Sequence, residues 1–206
     1  MSATDNATAP PADPLAFLES RRSVPFTDLG APGPDPVQLE RLLAAAARTP
    51  DHALLVPWRF ILLEGEARGQ AGARLATAYR LAHPDMEEAR REKFAAIMGR
   101  LFTHAPVVVV VVSRPDRATR IPVFEQELSA GAVCMNLLHA IHAQGFSGTW
   151  VTGWAATHPL ALAVLGVAAG EQVAGLVHIG TARQTPAERP RPDLAALVRR
   201  WSPTGA

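Results

Sequence analysis

The feature that most restricts the fold is the run from Ala105 to Val112, which contains six consecutive valines. β-Branched side chains lose rotamer freedom against the preceding turn of a helix and pack well on a pleated strand. A run with no polar alternation must be covered on both faces, so Val107 to Ser113 is expected as a buried strand. It is far too short to cross a bilayer.

The rest of the chain reads as elements able to cover such a strand. Residues 1–12 are small, polar and proline-rich, and are expected to be a disordered tail. Asp13 followed by Pro14 is a cap-plus-proline start for a helix, with Leu15 and Leu18 on one face, stopping before Pro25. Residues 28–36 read as a loop. Asp35-Pro36 opens a second helix whose apolar face is Val37, Leu39, Leu42, Leu43 and Ala46, ending near Arg48. Asp51 to Trp58 is irregular, and Arg59 to Leu63 reads as a strand. Residues 66–103 read as one or two helices broken at His83-Pro84-Asp85, with an exposed, charged excursion from Glu87 to Lys93. Residues 122–144 form one long helix, apolar or small from Ala130 to Ala143, hence central and packed on most of its circumference, with Gly145 as its stop. Then come a short strand at Gly148 to Thr152, a helix at Pro159 to Leu165, and a last core strand at Val173 to Ile179 ending at Gly180. A proline- and arginine-rich segment starts at about residue 182, with a short helical piece near Leu194 to Trp201. The expected architecture is a single α+β domain over residues 13–206, with four strands separated by helices and the longest helix between the second and third.

A chain of 206 residues is long enough for one sizeable core. The net charge is +1, and the arginines cluster only in pairs, which disfavours a nucleic-acid binder. No membrane partner is expected. The first residues lack the apolar core and positive flank of a secretory signal. Cys134 is the only cysteine, compatible with a reducing compartment. A soluble cytoplasmic protein is the expectation. Charged residues make up only 19%, which leaves room for a surface buried in an oligomer.

Several catalytic patterns are absent: GxGxxG after a strand, Walker A, GxSxG and HExxH. His139 and His142 are three apart on the long helix, but no acidic or thiol ligand accompanies them, so a core or interface role is favoured over metal binding. Three stretches stand out. Arg21-Arg22-Ser23 places two guanidinium forks and a hydroxyl at a helix end, suited to a phosphate monoester. The same arginines also suit the negative end of a helix dipole. Arg48 to Trp58 holds Asp51 and His52 between prolines, either as a ligand rim or as a structured connection with Trp58 as a core plug. Gly145 to Gly153 surrounds a short strand with glycines, which permit close approach of a flat ring or simply make a tight turn at a sheet edge.

Together these segments resemble the nitroreductase superfamily, and within it the small, minimal branch of NAD(P)H nitroreductases. The matching pieces are RRS at 21–23, PDH at 50–52 followed by PW at 57–58, EQELSAG at 125–131, WVTG at 150–153 and HIGT at 178–181. The likeness runs from about residue 14 to 183. It implies a mainly antiparallel sheet flanked by helices, in an intertwined homodimer with FMN at the subunit interface. Arg21, Arg22 and Ser23 would then hold the phosphate and ribityl chain. Arg48 and His52 would reach the flavin of the partner subunit. Gly148, Thr149, Trp150, Val151, Thr152 and Gly153 would line the isoalloxazine, with Gly180 and Thr181 by the phosphate and a further contact from Arg189 or Arg191. NADH or NADPH would donate, and a small acceptor such as a nitroaromatic or quinone would receive, in ping-pong order, with no side chain as an essential acid or base.

The chain departs from larger members at Asp51, Leu54 and Val56, where a serine, an asparagine and a glutamine are usual. Leucine and valine cannot make the amide contacts to a flavin. A third basic residue is also missing after Ser23. Two other readings go with the resemblance. One is the same fold doing reductive dehalogenation or flavin fragmentation, with a lid over 84–103. The other is a non-catalytic scaffold, flavin-binding or flavin-free, in the latter case with a cavity filled by Leu54, Leu55 and Trp150.

Overall fold

The valine run is strand β3 (Val107–Ser113), and every residue in it is buried. The computed structural model describes residues 13–203, so the expected disorder of residues 1–12 lies outside the described residues. Pleating sends alternate valines to opposite faces. Val107, Val109 and Val111 join one core cluster, and Val108, Val110 and Val112 join another.

Strand β2 (Trp58–Glu64) pairs with β3, with Trp58 opposite Ser113 and Glu64 opposite Val107. Strand β5 (Gln172–Ala182) pairs with β3 and also with β4 (Ser147–Val151). A two-residue strand β1 (Leu29–Gly30) pairs with Ala182 and Thr181 at the end of β5. All these pairings are antiparallel.

Two helices cover the odd-valine face. Helix α2 (Pro36–Ala46) starts with a complete capping box: the Asp35 carboxylate accepts from the Gln38 amide, and the Gln38 side chain accepts from the Asp35 amide. Helix α5 (Val123–Ala143) buries Ala130, Val133, Cys134, Leu137 and Ile141 against the sheet. Gly145, at φ +81°, ends it in the left-handed conformation. On the even-valine face lie α3 (Gly65–Ala82), α6 (Trp154–Thr157) and α7 (Pro159–Leu165). Helix α4 (Glu88–Arg100) folds back on α3. The two cross so closely that a Cβ at Gly72 would run into the Gly99 carbonyl oxygen. Helix α1 (Pro14–Ser20) is capped by Asp13 through the Leu15 amide, and α8 (Leu194–Leu197) is a single turn.

The expected α+β class and antiparallel sheet agree with this arrangement, and several details need correction. The sheet has five strands, because the expected loop at 28–36 contributes β1. Val37 is exposed, one position off the buried stripe of α2. The long helix is packed less completely than expected, since Phe124 and Leu128 are exposed near its start. The strand expected at 148–152 is one residue earlier, which leaves Thr152 and Gly153 beyond it. The C-terminal helical piece stops at Leu197.

Candidate functional site

Helix α5 has one cluster of predicted residues near each end. At its C-terminal end, His142 lies 3.2 Å from the Ser20 hydroxyl and stacks on Phe17 at 5.1 Å, next to Arg21. At its N-terminal end, Glu125 lies 2.8 Å from Nδ1 of His52. At a rise of 1.5 Å per residue, Glu125 and His142 are about 25 Å apart.

The Arg21 end is built where three segments meet. The Val24 amide donates to the Gly148 carbonyl at 3.2 Å, which joins Arg21-Arg22-Ser23 to the start of β4. Gly148 pairs with Ile179, and Gly180 with Ser147. Both glycines are required by closeness. A Cβ at Gly148 would stand 2.9 Å from the His178 carbonyl oxygen, and one at Gly180 would stand 2.7 Å from the Gly30 carbonyl oxygen. The Thr181 hydroxyl donates to the Pro32 carbonyl at 2.7 Å.

The two arginines differ. Arg21 is partly buried and donates to the Ser23 hydroxyl at 3.3 Å, while its Nε is buried with no partner. Burial, then Arg191 and Arg22, lower its pKa, which marks a place where cations outnumber anions. Arg22 is engaged. Its Nε donates to Glu188 Oε2 at 2.9 Å, its second terminal nitrogen reaches the same oxygen, and the third donates to the Arg21 carbonyl at 3.0 Å. Burial, then Arg21, His139 and Arg22, lower the pKa of His142.

Residues 48–57 form a strained connection that runs along α5 from Asn136 to its far end. The Asp51 carboxylate accepts from the Leu55 amide at 3.2 Å and from the Val56 amide at 2.7 Å. The Ser129 hydroxyl donates to the Pro50 carbonyl at 2.7 Å and accepts from the Trp58 indole at 3.3 Å. Asn136 donates to the Thr49 hydroxyl at 2.8 Å. The backbone is left-handed at Ala53 (φ 62°), Leu54 (φ 55°) and Val56 (φ 47°), unfavourable for non-glycine residues and most so for valine. Arg48 is exposed at the end of α2. A cavity of about 490 Å³ is lined by Pro50, His52, Glu125, Leu128, Ser129 and Ala132 among others. Neither Leu54, 86% exposed, nor Trp150 is part of its wall.

Between the ends, Thr149 is buried and pairs with His178. Trp150 donates from its indole to the Ala174 carbonyl at 3.0 Å and lies over Gly175, where a Cβ would collide with it and approach Cys134 Sγ to 3.0 Å. Val151 ends the strand, Thr152 is exposed, and Gly153 at φ +92° turns the chain into α6. His178 is fully buried between Phe26 and Phe102, with neither ring nitrogen hydrogen-bonded. Burial is the main cause that brings its pKa down to about 4.

The structure therefore brings Arg21, Arg22, Ser23, Gly148, Gly180 and Thr181 together. It places His52 at the opposite end of α5, and Arg48 beside Thr49, whose hydroxyl accepts from Asn136 well inside that helix. Sequence reasoning did not single out Glu188 or Ser129. Both act on residues far away in the chain, and no local pattern announces such a partner. Among the described residues no group of three or more histidines, cysteines or carboxylates is arranged to hold a metal ion, and no helix is long and apolar enough to cross a membrane.

The architecture is α+β: a five-stranded antiparallel sheet between two helical layers, with Arg21, Arg22 and Arg191 clustered at one sheet end. The Nitroreductase family pattern matches residues 18–181, and the chain belongs to that family. It is 33% identical over 172 residues to YdjA of Escherichia coli, named a candidate NAD(P)H nitroreductase, covering 82% of this chain and 88% of that one. A nitroreductase-like protein of Bacillus cereus superposes with a TM-score of 0.78 at 21% identity, covering 98% of each chain. A Bacteroides fragilis nitroreductase solved with bound FMN superposes with a TM-score of 0.66 at 18% identity, covering 91% of this chain and 98% of that one.

Proposed function

We propose that this protein is an FMN-dependent oxidoreductase that works as a homodimer, taking reducing equivalents from NADH or NADPH and passing them to a small acceptor such as a nitroaromatic or quinone. The observation that carries this reading is the division of the candidate site between the two ends of α5. A ligand whose phosphate rests at Arg21 is out of reach of its own chain's His52, so a site that includes both takes His52 from a second copy. Exposed apolar side chains near both ends support such pairing: Leu15 and Leu18 on α1, Leu54, Phe124 and Leu128 near His52.

The residues fit the cofactor. The buried, unpartnered Nε of Arg21 and the surplus of positive charge around it suit a phosphate dianion, with the Ser23 hydroxyl adjacent and Arg191 nearby. Gly180 and Thr181 border that end, and Gly148 to Gly153 offer a glycine-flanked strand to the ring. Bound FMN supplies the hydride chemistry. The protein binds, orients and shields. The ordering of loop 48–57 by Asp51, Ser129 and Asn136, with Glu125 on the imidazole, pre-positions His52. One face serving donor and acceptor in turn gives ping-pong kinetics.

The test is the visible spectrum of protein purified with FMN, before and after anaerobic addition of NADH or NADPH. A yellow protein with bands near about 370 and 450 nm that bleaches supports the reading. A colourless protein overturns it, and a yellow protein that neither donor bleaches removes the nicotinamide from it.

A further inference from the structure

The Arg22 guanidinium has two edges with different partners. One terminal nitrogen is held by the backbone carbonyls of Glu19 and Arg21. That fixes the fork and turns the Nε edge outward, where both nitrogens meet one oxygen of Glu188. Glu188 lies in the segment after β5, its other oxygen 3.6 Å from Arg191 and accepting from the Arg189 amide at 2.9 Å. One carboxylate thus bridges Arg22 and Arg191, the two cations whose charge also acts on Arg21, and its side chain is 65% exposed. A guanidinium edge that takes a carboxylate also takes the oxygens of a phosphate monoester. The Arg22 side chain is 20% exposed, but the carboxylate partner faces solvent and can be exchanged.

We infer that Glu188 is an internal stand-in for the anionic end of the cofactor: it occupies Arg22 in the empty protein, and a phosphate monoester entering beside Arg21 displaces it, releasing the segment that follows Arg183. The inference rests on the proposed FMN site and assigns that site its regulation. Loading is then coupled to the freedom of residues 184–203. In the occupied state Arg21 and Arg22 both face phosphate. While Glu188 holds Arg22, the unpartnered donor of the pair is Arg21 Nε. Arg22, read from sequence as a phosphate ligand, has alternating partners. The hydrogen bond from Arg22 holds the Glu188 carboxyl below its ordinary pKa, so the stand-in is charged at neutral pH.

The tail can be followed without flavin. Trypsin does not cut before proline, so Pro190 and Pro192 protect the bonds after Arg189 and Arg191. The bond after Arg183 lies between the sheet and Glu188, where the Arg183 amide donates to the Asp28 carbonyl at 2.9 Å. In the flavin-free protein, millimolar inorganic phosphate should speed cleavage after Arg183 on the order of fivefold, the scale set by losing an exposed ion pair. Glu188→Gln should be cut at the faster rate with or without phosphate. Cleavage that ignores phosphate in the wild type, or a variant cut no faster than wild type, overturns the inference. Flavin titrations add an independent reading. Glu188→Gln should bind FMN about fivefold more tightly, with riboflavin, which lacks the phosphate, unchanged. Unchanged or weaker FMN binding would mean that Glu188 supports the site instead of filling it, and overturns the stand-in. A protein that binds neither flavin sinks the FMN reading, while the phosphate and trypsin result still decides the exchange at Arg22.

Discussion

A histidine with both ring nitrogens unsatisfied inside a sheet has to stay neutral, and His178 is in that position between Phe26 and Phe102. Its pKa of about 4 in the folded protein lies below the ordinary histidine value, so the unfolded chain takes up the proton first as pH falls. The folded state keeps its full stability above about pH 6.5 and loses about 3 kcal/mol between there and pH 4. Urea unfolding of wild type and His178→Leu across that window should show a steep pH dependence in the first and a shallow one in the second; parallel curves would refute the assignment. A second residue-scale expectation concerns Ala53 at φ 62°. Ala53→Gly should stabilise the protein by up to about 1 kcal/mol, because left-handed backbone costs alanine about 1–2 kcal/mol and glycine loses part of that gain as chain entropy. A lower urea midpoint would count against strain there. At this scale the sequence displayed Arg21, Ser23 and His52 as chemistry, because their residue types suit anion and ring recognition wherever they stand. It did not display the isolation of His178 or the engagement of Arg22, since each depends on a partner far along the chain.

Elements were readable in proportion to how local their causes are. Strand β3 and helix α7 have the expected bounds, because a valine run and a proline start need no distant partner. The same holds for the capped start of α2 and the glycine stop after α5. Strand β1 was invisible, since two residues carry no periodicity and its existence rests on pairing with Thr181 and Ala182. The break between α3 and α4 could be read from His83-Pro84-Asp85, but their close crossing could not. Gly72→Ala should push α4 off α3 and lower Tm by several degrees, the scale of about 1–3 kcal/mol for overpacking. Hydrogen exchange should speed up in residues 88–100 and hold steady in β3. Uniform loss of protection across the sheet would show that the crossing supports the whole core. In the loop before β2, Asp51→Ala removes both amide contacts to Leu55 and Val56 and should loosen 52–57 by about 1–3 kcal/mol, read as faster exchange of those amides.

The whole molecule raises the question of which chain serves which site. If Arg21 and His52 act on one cofactor from different copies, Arg21→Ala and His52→Ala proteins should each bind FMN poorly. When the two are refolded together, mixed dimers regain one intact site each, so about a quarter of all sites should recover. No recovery would place both residues on one chain's site or on none. The oligomer itself could not be read from pattern alone, because the apolar residues it would cover, such as Phe124 and Leu128, sit on helix faces that also resemble core. The fully buried Cys134 lies midway along α5, beneath Trp150 and beside Gly175, with a thiol pushed up to about 12. A thiol that is neither ionised nor reachable is silent toward alkylating reagents for as long as the sheet and helix stay together. The protein therefore carries its own clock. The rate at which a maleimide consumes its single sulfur counts openings of the central layer, in any buffer, with no label to introduce and no second cysteine to confuse the count.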